Sequence, residues 1–184
     1  DDDRTPEGKD KWTNTIYNKK LLNISKVIND IGSDLTGSSP TIIGLCEVEN
    51  RKVLKDLINT KLLINSNYGI IHYDSKDERG VDVAMLYKRK RFKPVHTKKY
   101  PLTFKRKDGS IDYTRDHLVI SGYLDNDKIY LIINHWPSRS GGQMKSEKKR
   151  ILAGKLNRKI IDSIFHTDQN AKIINMGDFN DNPE

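Results

Sequence analysis

The sequence predicts an α/β fold built on mixed β-sheets. Three observations predict it. Short apolar runs that read as strands alternate with stretches of helical period. Two of those runs are joined by a tight turn, Asp125-Asn126-Asp127, so at least one pair is antiparallel. At 184 residues the chain is one domain by length, with room for a substantial core.

Residues 1–11 are acidic, polar and marked by Pro6 and Gly8, so residues 1–16 read as a polar arm ahead of a domain over 17–184. Tyr17, Leu21, Leu22, Ile24, Ile28 and Ile31 follow a helical period, and Gly32 supplies the stop. Thr41-Ile42-Ile43-Gly44-Leu45-Cys46 is a short continuous apolar run, which suits a central strand buried on both faces. Asn50 opens a short helix with Val53, Leu54, Leu57 and Ile58 inward. The next strands are residues 68–73 and 81–87. In the second, Val83, Met85 and Tyr87 share one face with Val81, and Asp82 shares the other with Ala84 and Leu86. Asp82 is then either at an exposed edge or aimed into a site.

Residues 88–99 are dense in Lys and Arg, interleaved with Phe92 and Val95. They read as an edge strand with a basic outer face, or as a nucleic-acid track. Residues 105–110 form a turn. The hairpin of residues 117–124 and 128–134 follows. Ser140-Gly141-Gly142 is a hinge before a long basic helix over 143–165, packed through Ile151, Leu152, Leu156, Ile160, Ile161, Ile164 and Phe165. Its early turn carries Lys145, Lys148, Lys149 and Arg150. Ile173-Ile174-Asn175-Met176 reads as a buried strand, ending in Gly177.

Polar residues arrive where strands stop. Glu47 follows the first apolar run, where a carboxylate is costly unless exposed or bound to a cation. His135 follows Tyr130-Leu131-Ile132-Ile133-Asn134, just before Pro137. Asp178 and Asn180 follow the last strand; if strand geometry persisted they would share a side, with Phe179 turned back into the packing. A carboxylate and an amide so placed can hold a hard cation, or a water beside a phosphate. An Asx-rich turn closed by Pro183 is the plainer reading. His72, His96, His117 and His166 carry no motif and are given no role. Cys46, the lone cysteine, reads as a small buried hydrophobe and excludes an intrachain disulfide.

Four stretches in order, Leu45-Cys46-Glu47-Val48, the strand after Arg79-Gly80, Asn134-His135-Trp136-Pro137-Ser138 and Gly177-Asp178-Phe179-Asn180-Asp181, resemble the endonuclease/exonuclease/phosphatase family of pancreatic deoxyribonuclease, bacterial sphingomyelinases and inositol polyphosphate 5-phosphatases. The resemblance implies a four-layer sandwich, two mixed sheets flanked by helices. It implies metal-assisted phosphate-ester hydrolysis. Glu47 would hold Mg²⁺ or Mn²⁺ together with Asp178. Asp178 would also orient or deprotonate water, Asn180 would fix it, and His135, if protonated, would donate to the phosphate or leaving group. Arg79, Arg115 and Arg139 would contact substrate phosphate. The family pattern also begins with an Asn-bearing strand and ends with an Asp-His strand. Neither occurs here, so the fold is expected to be incomplete at both ends.

The formal charge of +8, from 33 Lys and Arg against 25 Asp and Glu, favours a polyanionic partner. The expected substrate is nucleic acid, cut by a nuclease or phosphodiesterase. A phosphatase or sphingomyelinase-like enzyme on a lipid headgroup or phosphorylated small molecule is the alternative, and an inactive phosphate-binding module the third. No apolar run approaches the ~20 residues that span a bilayer, and a monomer is expected. The polar N-terminus resembles neither a signal nor a transit peptide; the compartment stays open, a secreted or periplasmic one included.

Overall fold

The computed structural model describes residues 5–182, apart from the side chain of Lys145. The first four residues of the arm, Lys145 in the basic turn and the turn at Pro183 lie outside the described residues. Local signals set most element ends. Thr13 accepts from the Ile16 amide to start α1 (Asn14–Asp30), and Asn50 accepts from the Val53 amide to start α3 (Arg51–Ile58). Between them, α2 (Ser33–Thr36) is a single turn. At the expected hairpin, Asp125 and Asn126 both take positive φ, the conformation that a two-residue turn between twisted strands requires.

Three antiparallel strands form the first sheet, in the order β1 (Ile42–Val48), β3 (Asp82–Lys88), β2 (Tyr68–His72). A second sheet orders β4 (Phe92–Tyr100), β7 (His117–Leu124), β8 (Asp127–His135) and β9 (Lys172–Asp178); it is mixed, because β9 alone runs parallel to its neighbour. Strands β5 (Thr103–Lys105) and β6 (Ile111–Tyr113) make a small separate ribbon on either side of the expected turn at 105–110.

Alternation along each strand stacks these elements into four layers. Val83, Met85 and Tyr87 of β3 meet Leu118, Ile120, Leu131 and Ile133 of the second sheet, giving the apolar layer between the sheets. Ala84 and Leu86, on the opposite face, pack with Leu21 and Ile28 of α1 and Leu54 and Leu57 of α3. On the far side, Val119 and Ile132 pack with Ile160 and Ile164 of α4 (Gln143–Thr167). The ribbon seats Leu102 and Phe104 near Ala153 of the same helix.

Four sequence expectations change. The first apolar run is an edge strand, half-buried along most of its length; helices and the second sheet cover its faces, but only β3 pairs with it. Among the described residues the last strand is also an edge, flanked by β8 alone, and Ile174 is about half exposed. Asp82 sits in the central strand, neither at an exposed edge nor in the strand-end cluster. It is buried and accepts from the Ser75 amide (2.7 Å) with His72 Nε2 at 3.0 Å. Burial would raise its pKa, but these bonds outweigh that and hold it below the usual carboxylate range. In α4, Ile151, Leu152 and Phe165 are exposed, and the buried stripe runs through Ser146, Arg150, Ala153, Asn157, Ile160 and Ile164. Leu156, Ile160, Ile161 and Ile164 pack as expected; Ile151 and Leu152 do not, because the Arg150 ion pair with Asp181 and the Ala153 contact with the ribbon set the face of the N-terminal half. Among the described residues no helix is long and apolar enough to cross a membrane.

His117 is fully buried, and neither ring nitrogen has a hydrogen-bond partner among the described residues. Burial pushes its pKa down from 6.5 to about 4. The folded state therefore binds fewer protons than the unfolded chain between these values. The stabilising contribution is complete above pH 6.5 and disappears as pH falls towards 4, a loss on the order of 3 kcal/mol. Denaturant titrations across that window should show the decline in the wild type and a clearly shallower one in His117→Leu. Equal slopes would mean that the imidazole does not govern it.

Candidate active site

Three strand ends converge. Strand β8 ends at His135 and β9 at Asp178, and parallel register places these residues side by side. The pairing extends one step further, where the Trp136 amide donates to the Asp178 carbonyl at 2.9 Å. Gly177 makes this register possible. Its φ is +138°, and a Cβ there would lie 2.0 Å from the Asn134 carbonyl oxygen. Gly44 on β1 likewise leaves room for Ile133 and Met176, which brings the first sheet up to this corner.

Glu47 reaches the same corner by breaking strand geometry. Pairing between β1 and β3 is interrupted between Leu45 and Val48, and Glu47 takes φ +60°, left-handed for a residue with a Cβ. Such a bulge re-aims a side chain, and the strain is tolerated only where surrounding structure fixes it. Glu47 Oε1 lies 3.5 Å from His135 Nε2, and Asp178 Oδ2 lies 3.9 Å from the same atom. Both carboxylates are about half exposed, while the imidazole is buried.

Burial, then the charge of Arg115, lowers the His135 pKa; Glu47 and Asp178 pull the other way without prevailing. The balance disfavours the protonated form in which His135 would act as a donor. Its Nδ1 is buried without a partner among the described residues.

Strand geometry does not persist past Asp178. Asn180 is left-handed, φ +50°, and its amide donates to Asp178 Oδ1 at 2.9 Å. The Asx turn and the cluster are one object: the turn holds one oxygen of Asp178 and leaves Oδ2 towards His135. Asn180 Nδ2 donates to the Trp136 carbonyl (3.0 Å). Phe179 does turn into the packing, meeting Trp136 edge-on with centroids 5.0 Å apart.

The three arginines differ. Arg79 is half exposed and donates to Glu47 Oε1 (3.3 Å) at the rim of a cleft of about 550 Å³ between β1, α1 and α3. Arg115 is buried; it donates to the Trp136 carbonyl (2.8 Å) and pairs with buried Asp77 (3.3 Å). Arg139 grips the turn through the Asn180 carbonyl (3.2 Å), Asp181 (3.1 Å) and Asn182 (2.9 Å). Sequence reasoning missed Asp77, and it placed Arg150 in a basic turn, whereas the structure makes it a buried guanidinium that donates to Asp181 at 3.0 Å and to Ser146 at 2.7 Å. The available signal was a polar stripe, Ser146, Arg150 and Asn157, at helical spacing. Elsewhere, His72, Asp74 and Asp82 bring ligand atoms within 4.8 Å of one another. Asp82 is already satisfied by His72 and Ser75, so they form a polar network rather than an open site.

A sequence profile of the Endonuclease/Exonuclease/phosphatase family matches residues 1–184. No curated protein matches by sequence. Among solved structures, D. rerio TDP2 complexed with single strand DNA product superposes with a TM-score of 0.59 at 15% identity, over 89% of this chain and 56% of that one. A mannosyl-6-phosphatase of Bacteroides thetaiotaomicron gives 0.61 at 16%, over 96% and 62%. ANGEL2, a 2',3'-cyclic phosphatase, gives 0.58 at 18%, over 90% and 43%. These likenesses are of fold, and the chain spans about half the length of the structures it matches.

Alanine at Gly177 should force β9 off β8, since the clash is with backbone. The expected loss is at least about 1–3 kcal/mol, the backbone strain alone. Chemical denaturation measures it; unchanged stability in Gly177→Ala would contradict the close approach.

Proposed function

This chain belongs to the endonuclease/exonuclease/phosphatase family, and on that footing we propose that it hydrolyses phosphate esters with a divalent cation, Mg²⁺ or Mn²⁺, nucleic-acid diesters being the preferred substrate. The observation that carries the proposal is the cluster of Glu47 and Asp178 about His135.

The donor chemistry fits such a cation. Glu47 and Asp178 offer hard, half-exposed oxygens, and burial of the imidazole beside them disfavours its repulsive, protonated form. Glu47 would hold the ion, with Asp178 beside it. When bound, it supplies charge neutralisation at the phosphate and a more acidic water. Asp178, with Oδ1 fixed by the Asn180 amide, keeps Oδ2 to orient or deprotonate water. Asn180 has its side-chain nitrogen committed to Trp136 and its Oδ1 left to accept. His135 Nε2 is the partner for a proton at the same spot.

Arg79 is the arginine best placed to take a substrate phosphate, because it is half exposed and bonded only to carboxylates. Arg115 and Arg139 act through the protein: one fixes the Trp136 carbonyl that Asn180 also uses, the other fixes the turn. The basic charge balance supports a nucleic-acid substrate, and the TDP2 relative in fold is a complex with single strand DNA product. Phosphomonoesters of lipids, inositols or sugars are the second reading, named for a mannosyl-6-phosphatase of the same fold.

Plasmid nicking and release from bis-p-nitrophenyl phosphate, set against phosphate release from inositol phosphates and p-nitrophenyl phosphate, separate the two. Diester cleavage should require Mg²⁺ or Mn²⁺ and stop with EDTA. Asp178→Asn should fold normally and lose roughly 10²–10⁴-fold in kcat. Wild-type rates in Asp178→Asn and His135→Ala would sink the site, and ligand retention without turnover of any ester would leave a binding module.

A further inference from the structure

The charge excess of this protein is confined to one stretch. Residues 88–107 carry ten of its 33 Lys and Arg and no acid, so the remaining 23 fall short of the 25 Asp and Glu. Four of the ten are engaged: Lys88 with the Ser39 carbonyl, and Arg91, Lys99 and Arg106 with carboxylates. Arg89, Lys90, Lys93, Lys98, Lys105 and Lys107 are exposed and have no acidic partner among the described residues.

The sheet register says where these cations point. Lys93 pairs with Tyr123, which pairs with Lys128; His96 pairs with Ser121, which pairs with Tyr130; Lys98 pairs with Val119, which pairs with Ile132. Directly paired residues share a face. These three rows therefore lie on the face of the second sheet that carries Val119 and Ile132, which α4 covers. At its uncovered margin the face sets cations beside the exposed ring of Tyr123, while Tyr100 and Tyr130 pack into the cluster beneath α4. Tyr123 is 42% exposed, Lys98 sits 4.7 Å from the ring centroid of Tyr100, and Lys128 sits 5.1 Å from that of Tyr130. Edge protection needs charge at a strand rim. It does not account for the exposed ring of Tyr123 in the same rows, nor for the run continuing through Lys105 and Lys107 beyond the strand.

The track has a direction. Tyr100 pairs with His117, and Leu118 pairs with Ile133, so the Lys98–Tyr100 end of β4 lies at the end of the sheet where His135 emerges. The Arg89–Lys90 turn lies at the other end. Cations that track a backbone, beside an exposed ring on which a base can stack, suit a flexible single strand better than a stiff duplex.

We propose that the margin formed by β4 and Tyr123 binds single-stranded nucleic acid, with the Lys98–Tyr100 end of the track at the end of the sheet where the Glu47–His135–Asp178 corner lies, although His135 continues the opposite face of the sheet. The inference deepens the phosphoesterase reading and rests on it for its purpose, but its test requires no turnover. Anisotropy of a fluorescein-labelled oligothymidylate is measured in EDTA, with the matching duplex and phosphatidylserine vesicles as competitors. If three or four phosphates are engaged, log K should fall with log salt at a slope of about −2 to −3. Lys93→Glu combined with Lys98→Glu should weaken binding by roughly ten-fold or more and flatten that slope by about 1.4, while hydrolysis of bis-p-nitrophenyl phosphate stays unchanged. Tyr123→Ala should weaken binding on the order of ten-fold without changing the slope. Unchanged oligonucleotide affinity in both variants overturns the proposal, as does stronger competition from duplex or vesicles. Loss of diester hydrolysis in the wild type with oligonucleotide binding intact would instead count against the catalytic reading alone.

Discussion

The parallel pairing of β9 on β8 is the constraint on which the corner depends. It sets His135 beside Asp178 and carries Asn180 under the Trp136 carbonyl. A parallel neighbour needs a long crossover, and α4 supplies it over 25 residues. The closeness of the pair rests on a residue without a side chain at Gly177, since the Asn134 carbonyl occupies the space a Cβ would need. The same carbonyl accepts from the Cys46 thiol at 3.3 Å, which ties β1 to the pair. One backbone oxygen thus meets all three strands that deliver the cluster.

Electrostatics at the corner is layered by depth. Outside, Glu47 and Asp178 are half exposed, and Glu47 pairs with the half-exposed Arg79. Inside, Arg115 is buried and balanced by Asp77, with further donors on Thr114 and the Trp136 carbonyl and its Nε without a partner among the described residues. A buried charge without such partners would be costly. Between the layers lies His135, whose burial and proximity to Arg115 outweigh the carboxylates. The outcome is two carboxylate oxygens and one imidazole nitrogen facing a shared space, a set suited to a hard cation and a proton in transit.

The support reaches into the helix layer. Asp181 accepts from both Arg139 and Arg150, so the turn after β9 is held from the loop after β8 and from α4. This explains why a helix with apolar residues to spare buries Ser146 and Arg150 and exposes Ile151 and Leu152. Helix orientation is decided by the summed fit of a face; here an ion pair and the Ala153 contact with the ribbon prevail at one end, and Ile160 and Ile164 at the other.

Much was legible from residue order alone. Period-two and helical patterns located every long element, Asn50 and Gly32 marked helix ends, and Asp125-Asn126 marked the hairpin, because these signals are local. The strand-end positions of Glu47, His135 and Asp178 were readable for the same reason. Edge or centre was not: β1 and β9 have the composition of buried strands, and their place depends on partners that no local pattern specifies. Nor could sequence tell that Arg115 and Arg139 face inward, that Arg150 is buried, or that protonation of His135 is disfavoured. Orientation and charge state are set by residues dozens of positions away, brought near only when the sheets close. Sequence by itself determined which segments form and which residues end them; the tertiary structure decided which side chains meet, because contact, burial and pKa are properties of the neighbourhood and not of the chain.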